Sequence, residues 1–554
     1  MSSYVDNGPM LNAYPDSIGG KLCDVTAFLQ RPECKDAFGS FYILPSVFHT
    51  DLDRGFSVID YGLNRMLADP KDFEALKDLG IDLKLDFILN HASVLSPQFQ
   101  DLLKNGANSE YCDFFINWNS FWKGCGEMTK EGYIQPEEKY LQKMFFRKSG
   151  LPILMVRMPD GSDVPYWNTF YQEVQYLRPD AQDLMHGMEG DLQYQEAQAL
   201  SEIICKALDA GQKPGEIDFG ELSAYRVQAV AFLEAHRKYL GQMDLNIKSP
   251  KVWEHYKETL EKLSSYGAKI VRLDAFAYAP KEVGERNFMN EPGTWELLEK
   301  VRKLADDVGV TLLPEIHASY GEKVYETVAK KGYMTYDFFL PGLLLYTLEK
   351  HDATLLSAWA NELQEKKIRV VNMLGCHDGI PLLDLKGLLP EAQIEELIDL
   401  LVSRGGLIKN LHGKKNMYYQ VNATYFSALG EDVQKMLLAR AIQMFMPGKP
   451  QIWYLDLFGG KNDYEAVAHA GEAGHKEINR TNISPAQIDT LLTSPLVTEQ
   501  LRLLQLRNTH PAFGFDHEME MRAEGATLSI TWRGNGSQIT LDADLSTYVY
   551  TIHE

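Results

Sequence analysis

Short apolar runs rich in strand-forming residues recur along the chain, and stretches with the apolar spacing of amphipathic helices separate them. Residues 253–260 and 294–301, for example, have helical spacing, and each stretch precedes one of the runs. The runs are residues 41–45, 83–89, 268–273, 311–314, 370–374 and 451–454. Strands that alternate with helices form parallel βαβ units. The pattern therefore predicts an α/β fold built on a (β/α)8 TIM barrel rather than on an open doubly wound sheet.

Polar side chains follow several of these runs at the point where each run ends. They are Asn90 and His91, Asp274, Glu315, and His377 with Asp378. In a barrel the strand ends open onto one pocket, and that edge carries the chemistry. A single aspartate after a strand is more often a helix cap or a turn residue. Several such residues at successive strand ends indicate an active site.

Composition excludes several classes of partner. The formal net charge of -22 argues against nucleic acid, because binding to the phosphate backbone needs clustered lysine and arginine. It also argues against an anionic membrane surface. There is no apolar run of about 20 residues and no basic and apolar leader at the N-terminus. The six cysteines lack CxxC spacing, so we expect reduced thiols in a cytoplasmic protein.

With 554 residues, the chain is long enough for one large domain and smaller attached ones. We expect the barrel in three parts, two inserted domains B and B′, and a small C-terminal β-domain. The barrel parts are 1–91, 242–379 and 431–513, domain B is 92–241, domain B′ is 380–430, and the C-terminal domain is 514–554. In that last domain, residues 527–532 and 538–541 alternate like strands, and 542–544 resemble a turn.

Domain B contains a helical insertion of roughly 70 residues, about 171–241, in which 191–206 and 224–239 have helical spacing. Its position leaves two interpretations open. The insertion could cover an acceptor site, or it could form the contact of a homodimer.

Four motifs resemble those of the α-amylase superfamily, in the same order along the chain. Residues 86–91 resemble its first signature region, 271–276 its nucleophile strand, 313–317 its acid/base strand, and 376–379 the strand of its transition-state stabiliser. Within glycoside hydrolase family 13, the chain is similar to the sucrose phosphorylase group. That resemblance rests on residues 14–20, 53–56, 272–278, 420–425, 460–463 and 478–480. The matches extend from about residue 12 to about residue 515.

The resemblance implies a retaining glycoside phosphorylase that transfers an α-glucosyl unit from sucrose to inorganic phosphate, giving α-glucose 1-phosphate and fructose. Asp274 would be the nucleophile, Glu315 the general acid/base, and Asp378 the third carboxylate. Retention predicts catalytic carboxyls about 5–5.5 Å apart. Glu315 must be protonated in the first step, so we expect burial and nearby anions to raise its pKa. No metal or cofactor is implied, and no acidic DxDxDG loop is present.

The resemblance also assigns binding roles around the glucosyl ring. Arg272 would pair with Asp274 and keep it ionised. Asp53 and Arg480 would close over the far end of the ring and exclude longer glucans. The remaining glucosyl contacts would be His91, His377, Gln242 and Phe56, with Phe56 beside the cationic transition state. The histidines could equally be structural donors, and Phe56 could be ordinary core packing.

Two segments resemble the mobile loops that admit phosphate and exclude water. In residues 146–152, Arg147 or Lys148 would carry the positive charge, although a solvated basic pair is the alternative. In residues 418–420, Tyr419 would bond phosphate or fructose, and Gln420 would shield the ester. His412, Lys414 and Lys415 lie nearby in the sequence.

One departure from the family pattern opens an alternative substrate. Met417 stands where the family has a fructose-binding aspartate, and its thioether is a weak acceptor. A phosphorylated acceptor beside several lysines would suit this change, so sucrose 6F-phosphate is an alternative donor. Tyr419 favours sucrose, because relatives specific for the phosphorylated donor tend to carry histidine there.

Other functions are less consistent with the sequence. Glucosylglycerol and glucosylglycerate are further candidate donors. A hydrolase of the α-glucosidase type would lack the cationic loop, and a sugar-binding barrel without catalysis would lack the three carboxylates. A dinucleotide-dependent oxidoreductase would carry an early GxGxxG, which is absent.

Overall fold

The computed structural model describes residues 5–148, 150–188, 192–410 and 418–554. Eight strands form one parallel sheet. They are β1 (Met10–Ala13), β2 (Ser40–Ile43), β3 (Asp82–Ile88), β4 (Ala268–Asp274), β5 (Thr311–Pro314), β6 (Thr335–Asp337), β7 (Val370–Met373) and β8 (Lys449–Trp453). Neighbours in the order β5-β4-β3-β2-β1-β8-β7-β6 pair with each other, and the end strands β5 and β6 are in contact. The predicted (β/α)8 barrel is therefore confirmed.

Helices follow every barrel strand. They are Leu22–Leu29, Pro70–Asp78, Pro250–Ser265, Gly293–Val308, Val324–Lys330, Leu340–Lys350 with Thr354–Glu365, Val433–Phe445, and Pro495–Thr509. Local chemistry sets their ends. Asp69 caps Pro70–Asp78 by accepting from the backbone N–H of Lys71 at 3.1 Å. Gly309 ends Gly293–Val308 with φ of 72°, a conformation that glycine adopts without strain.

The strands are buried on both faces, as parallel strands covered by helices must be. In β4, Val271 and Leu273 are completely buried, and Arg272, which lies between them in the sequence, is almost completely buried. The barrel interior therefore contains charged side chains that apolar periodicity alone does not anticipate. Lys84, Asp86 and Arg272 are the charged residues that β3 and β4 bury there.

Domain B follows β3 and combines a small sheet with a helical unit. Three antiparallel strands pair in the order Gln172–Gln175, Lys238–Asp244 and His91–Ser93. The hairpin Ile153–Arg157 with Asp163–Trp167 and the ribbon Gly126–Met128 with Ile134–Pro136 lie within the same insertion. Its shorter helices are Pro97–Asn105, Trp118–Phe121 and Glu138–Leu141.

The helical unit is shorter than the sequence pattern predicts. Its helices are Ala181–Gly187, Tyr194–Asp209 and Arg226–Ala235. The strands Gln172–Gln175 and Lys238–Asp244 frame it, so the predicted boundary at 241/242 falls inside a strand. Leu184, Leu200, Ile204 and Leu233 are fully buried within this unit, which therefore has its own small hydrophobic core.

Domain B′ follows β7 and contains the helix Glu391–Ser403 and three antiparallel strands. These strands are Ile380–Pro381, Leu407–Asn410 and Tyr418–Asn422. The chain ends in a four-stranded antiparallel sheet of Glu518–Glu524, Thr527–Gly534, Ser537–Asp544 and Val549–His553. The turn predicted at 542–544 is wrong, because the strand continues to Asp544 with Leu541 and Ala543 facing the core. No helix in the described ranges has the length and apolarity that a membrane span requires.

Candidate active site

The predicted catalytic residues lie at the carboxyl ends of neighbouring strands. Asp274 is the last residue of β4, and Glu315 directly follows β5. The backbone N–H of Glu315 donates to the carbonyl of Leu273 at 3.2 Å, so the sheet itself places the two residues side by side. Ala275 then adopts a left-handed conformation with φ of 51°. Such a conformation costs a non-glycine residue about 1–3 kcal/mol and is concentrated at functional sites.

Arg272 joins the two carboxyls. Its Nη1 donates to Asp274 at 2.8 Å and to Asp86 at 2.6 Å. Its Nη2 lies 2.6 Å from Oε1 of Glu315. The guanidinium is almost completely buried, so these charge-assisted hydrogen bonds have little competition from water. One planar cation therefore orients both candidate catalytic side chains toward the same space.

The two carboxyls differ in pKa because their neighbours differ. Burial raises the pKa of Asp274 well above its ordinary value, and Arg272 opposes this only in part. Burial also raises the pKa of Glu315, but Arg272 and His317 outweigh it, so this pKa falls below its ordinary value. The shift of the Glu315 pKa is therefore opposite in direction to the expected rise.

A buried polar network surrounds Arg272 in the barrel interior. Sequence reasoning did not find this network. The hydroxyl of Tyr42 donates to Asp86 at 2.8 Å, and Asp86 accepts from Arg272. Nζ of Lys84 donates to Tyr336 at 2.5 Å and lies 3.8 Å from the centre of the Tyr42 ring. This network fills the barrel interior with groups that already have partners, which fixes the orientation of Arg272.

Asp378 lines one cavity together with Glu315, Arg272, His377 and Gln420. Oδ2 of Asp378 lies 3.2 Å from Nε2 of His377, and the Gln420 side chain donates to its backbone carbonyl at 3.0 Å. Burial raises the pKa of Asp378, but His377 and a lysine, Lys476, outweigh it and lower the pKa well below its ordinary value. Nδ1 of His377 is buried without a hydrogen-bond partner in the described residues. Such an atom is available to a ligand hydroxyl.

Asp53 and Arg480 face each other at 3.9 Å. Arg480 is buried, donates to the carbonyl of His377 at 2.9 Å, and pairs with Glu477 at 3.0 Å. Its Nη2 has no hydrogen-bond partner within the residues that the structure describes. The structure therefore brings this predicted pair next to the Asp378 side of the cavity.

Asp53 stands on a turn that a neighbouring arginine anchors. Asp53 and Arg54 are both left-handed, with φ of 49° and 47°, and Gly55 has φ of 122°. Arg54 donates to the carbonyl of Arg480 at 2.8 Å and to Asn482 at 2.6 Å. The sequence motif contains Arg54, but its distant partners were not predictable from it.

His91 and Gln242 lie together but bond to protein. Nε2 of His91 and Nε2 of Gln242 each lie 3.1 Å from the carbonyl oxygen of Phe56. The Phe56 ring stacks on His377 with ring centres 4.8 Å apart, and it lies 5.4 Å from the Arg272 guanidinium. Phe56 therefore lies against two residues that line the cavity, and the predicted sugar contacts of all three residues stay predictions.

The two predicted phosphate loops are only partly described. Arg147 lies 3.4 Å from the Tyr278 hydroxyl and 5.3 Å from the centre of the Phe170 ring. Lys148 donates to Asn168, and burial lowers the pKa of Lys148 to about 8. Gln420 is placed, but the side chain of Tyr419 and all of residues 411–417 lie outside the described residues. These include His412, Lys414, Lys415 and Met417.

His317 is a site residue that sequence reasoning did not single out. It lies between Glu315, at 3.7 Å, and Asp384, at 3.3 Å, and it stacks on Phe338. Burial lowers its pKa, but Asp384 and Glu315 outweigh this and raise the pKa to about 9. The imidazole therefore carries a positive charge at neutral pH. Its place two residues after Glu315 was the only available signal.

The described residues contain no cluster of three or more histidine, cysteine or acidic side chains placed to hold a metal ion. All six cysteines, including the buried Cys34 and Cys376, are free thiols in the structure.

The whole chain is similar to proteins of known activity. It is 49% identical over 564 aligned residues to a sucrose 6(F)-phosphate phosphorylase of Ilumatobacter coccineus, covering 100% of this chain and 97% of that protein. It is 29% identical to a sucrose phosphorylase of Streptococcus mutans, over 99% of this chain and 98% of the relative. Among solved structures, the sucrose 6F-phosphate phosphorylase of Thermoanaerobacter thermosaccharolyticum superposes with a TM-score of 0.79 at 31% identity, over 99% of this chain and 95% of that one. No family model matches the chain.

Proposed function

The chain belongs to the sucrose phosphorylase group of the α-amylase superfamily, and from that premise we propose that its donor is sucrose 6F-phosphate. The enzyme would transfer the α-glucosyl unit to inorganic phosphate and release α-glucose 1-phosphate and fructose 6-phosphate. This choice of donor rests on the relative of 49% identity, which is a sucrose 6(F)-phosphate phosphorylase. Sucrose is the second candidate, because a sucrose phosphorylase also aligns along almost the whole chain.

The shared guanidinium of Arg272 supports the proposed reaction. Asp274 attacks the anomeric carbon and forms a β-glucosyl ester, and Glu315 protonates the departing fructosyl oxygen. Phosphate then attacks the anomeric carbon from the side that the fructosyl group left, the carboxylate of Asp274 leaves, and Glu315 takes up the proton that the phosphate loses. The two displacements retain the α configuration. Glu315 must carry a proton and Asp274 must be ionised before the first step.

We assign recognition of the glucosyl ring to Asp378, Asp53, His377 and Arg480. Asp378 and Asp53 accept hydrogen bonds from ring hydroxyls, and Arg480 donates to them. Nε2 of His377 donates to Asp378 and burial lowers the pKa of this ring, so its Nδ1 accepts from a hydroxyl. The unpartnered Nδ1 of His377 and Nη2 of Arg480 support this assignment, because a buried polar atom without a partner costs stability unless a ligand satisfies it.

Cations beside the leaving group favour phosphate over water. His317 is positively charged next to Glu315, and Arg147 and Lys148 lie on the predicted phosphate loop. An anion beside these groups gains charge-assisted hydrogen bonds that a neutral water does not. The same cations suit the phosphate group of fructose 6-phosphate, so they support the phosphorylated donor as well.

A coupled assay for glucose 1-phosphate tests the proposal, with each donor supplied alongside inorganic phosphate. The donors are sucrose 6F-phosphate, sucrose, glucosylglycerol and glucosylglycerate. We expect the highest kcat/KM with sucrose 6F-phosphate. A higher value with sucrose would move the assignment to the second candidate, and free glucose in place of glucose 1-phosphate from every donor would refute phosphorolysis.

The nucleophile is tested in the same assay. Asp274→Asn should lower kcat on the order of 10³-fold or more, because it removes the group that forms the ester. Asp306→Asn is the matched control, since Asp306 is 65% exposed on the outer helix Gly293–Val308. Turnover of Asp274→Asn close to that of this control would mean that another group is the nucleophile.

A further inference from the structure

Lys476 lies between the carboxylates of Asp378 and Asp53, the two acidic residues proposed to bind the glucosyl ring. It belongs to the 3-10 segment Gly471–Asn479, which directly precedes Arg480. Its Nζ is 2.6 Å from Oδ1 of Asp378 and 3.5 Å from Oδ2 of Asp53. Its side chain is 24% exposed, so water screens these contacts only partly.

The placement of Lys476 solves an electrostatic problem. Asp378 and Asp53 come from opposite parts of the chain and would repel each other across a small cavity if no cation stood between them. The other charged or titratable groups that interact with Asp378 include His377, Arg480, Asp274, Glu315, Tyr14 and Cys376. Asp274 and Glu315 are acidic, so Lys476 adds a cation where several carboxyls lie close together.

Lys476 does not block the carboxylate oxygens from a sugar. Oδ1 of Asp378 accepts from Lys476 and Oδ2 accepts from His377. A carboxylate oxygen has two acceptor positions, so each oxygen can still accept one ring hydroxyl. The ammonium therefore fixes the direction of the carboxylate and leaves its remaining lone pairs for the ligand.

We propose that Lys476 is a positioning residue of the glucosyl subsite, which holds the carboxylates of Asp378 and Asp53 in fixed directions and at a fixed separation so that both accept hydroxyls of one glucosyl ring. This inference rests on the proposed function. Lys476 acts through the two carboxylates rather than on the reacting atoms. Loss of Lys476 therefore weakens the binding of every glucosyl donor to a similar extent, whatever group the glucosyl unit is attached to.

The test compares Lys476→Met, Lys476→Gln and Lys476→Arg by kcat/KM against pH, with glucose binding measured by calorimetry. Lys476→Met removes the charge, and we expect kcat/KM to fall on the order of 10- to 100-fold, the loss typical of a hydrogen bond to a charged group. The pKa of Asp378 should rise, so the acid limb of the profile moves to higher pH. Lys476→Arg keeps the charge and should restore most of the activity.

Lys461→Met is the matched control. Lys461 is 65% exposed on the same stretch of chain and pairs with Glu431. It should leave both the rate and the acid limb unchanged. If Lys476→Met does not fold, as judged by circular dichroism, then Lys476→Gln, which keeps a donor but no charge, is held to the same criteria.

The outcomes separate this inference from the proposed function. If the unaltered enzyme forms glucose 1-phosphate but the charge-removing variants keep the acid limb and glucose affinity of the Lys461→Met control, the positioning role of Lys476 is refuted. If the unaltered enzyme forms no glucose 1-phosphate from any donor, the proposed function fails. Weaker glucose binding in Lys476→Met would still support the positioning role in that case.

Discussion

At the scale of single residues, the site depends on charged side chains whose partners lie far away in the sequence. Asp274, Glu315 and Asp378 were predictable, because each stands at or shortly after the end of a strand within a known motif. Lys476 and Lys84 were not, because their partners come from distant segments that only the closed barrel brings together. Sequence periodicity identifies which residues are buried but not which buried charges meet.

His317 gives a prediction about stability and pH. Its pKa rises from 6.5 to about 9 on folding, so the folded state binds the proton more tightly than the unfolded state. The contribution to stability is fully present below about 6.5 and is lost as the pH rises to about 9. We therefore expect the Tm difference between the unaltered protein and His317→Gln to shrink over this interval.

The measurement is a thermal melt of both proteins at several pH values. His469→Gln is the control, because His469 is exposed and bonds only the backbone of its own helix. A Tm difference for His317→Gln that stays constant between pH 6 and pH 10, taken as roughly the limits of this window, would show that Asp384 and Glu315 do not hold the proton.

At the scale of elements, regular strands were easier to predict than the segments that join them. The strands β4 and β5 agree with the runs 268–273 and 311–314 within one residue. The predicted turn at 542–544 was wrong because two aspartates suggested a turn, although the alternation of Leu541 and Ala543 toward the core continues the strand. Pairing with Thr527–Gly534 satisfies this backbone, and that long-range contact overrides the local turn signal.

The turn that carries Asp53 shows how an element can store strain. Arg54 has φ of 47° and is held there by Asn482 and by the carbonyl of Arg480. Arg54→Ala and Arg54→Gly both remove this anchor, so both should raise the KM for the glucosyl donor. Only the glycine variant relieves the left-handed strain, so Arg54→Gly should be more stable than Arg54→Ala by about 1 kcal/mol.

Chemical denaturation of the two variants checks this prediction, and each variant is the control for the other. Equal KM values are expected because the lost contacts are the same. An alanine variant as stable as the glycine variant, or more stable, would mean that the backbone at this turn is not strained. A KM equal to that of the unaltered protein would mean that the anchor does not position Asp53.

At the scale of the whole molecule, the barrel holds the strand ends of the candidate site, and the helical unit within domain B has a hydrophobic core of its own. The helices between residues 176 and 237 bury their own core, which includes Leu184, Leu200 and Leu233. They also expose large apolar side chains, with Val227 80% and Tyr194 57% accessible. The sequence leaves two interpretations of this unit open, a cover over the acceptor site and a homodimer contact. They predict different effects of removing the unit.

Removing the unit tests its independence and separates these interpretations. Gln175 and Lys238 are paired residues of adjacent antiparallel strands, so an Asn-Gly turn can replace residues 176–237 and connect them directly. Because the unit has its own core, we expect the shortened protein to fold and to keep its kcat with sucrose 6F-phosphate within about threefold.

Light scattering and steady-state kinetics of the shortened protein are then compared with those of the unaltered protein. A fall in mass at unchanged KM indicates a subunit contact, whereas a raised KM for phosphate or donor at unchanged mass indicates a cover. An insoluble or unfolded product would contradict the independence of the unit, because it would mean that the barrel needs these helices in order to fold.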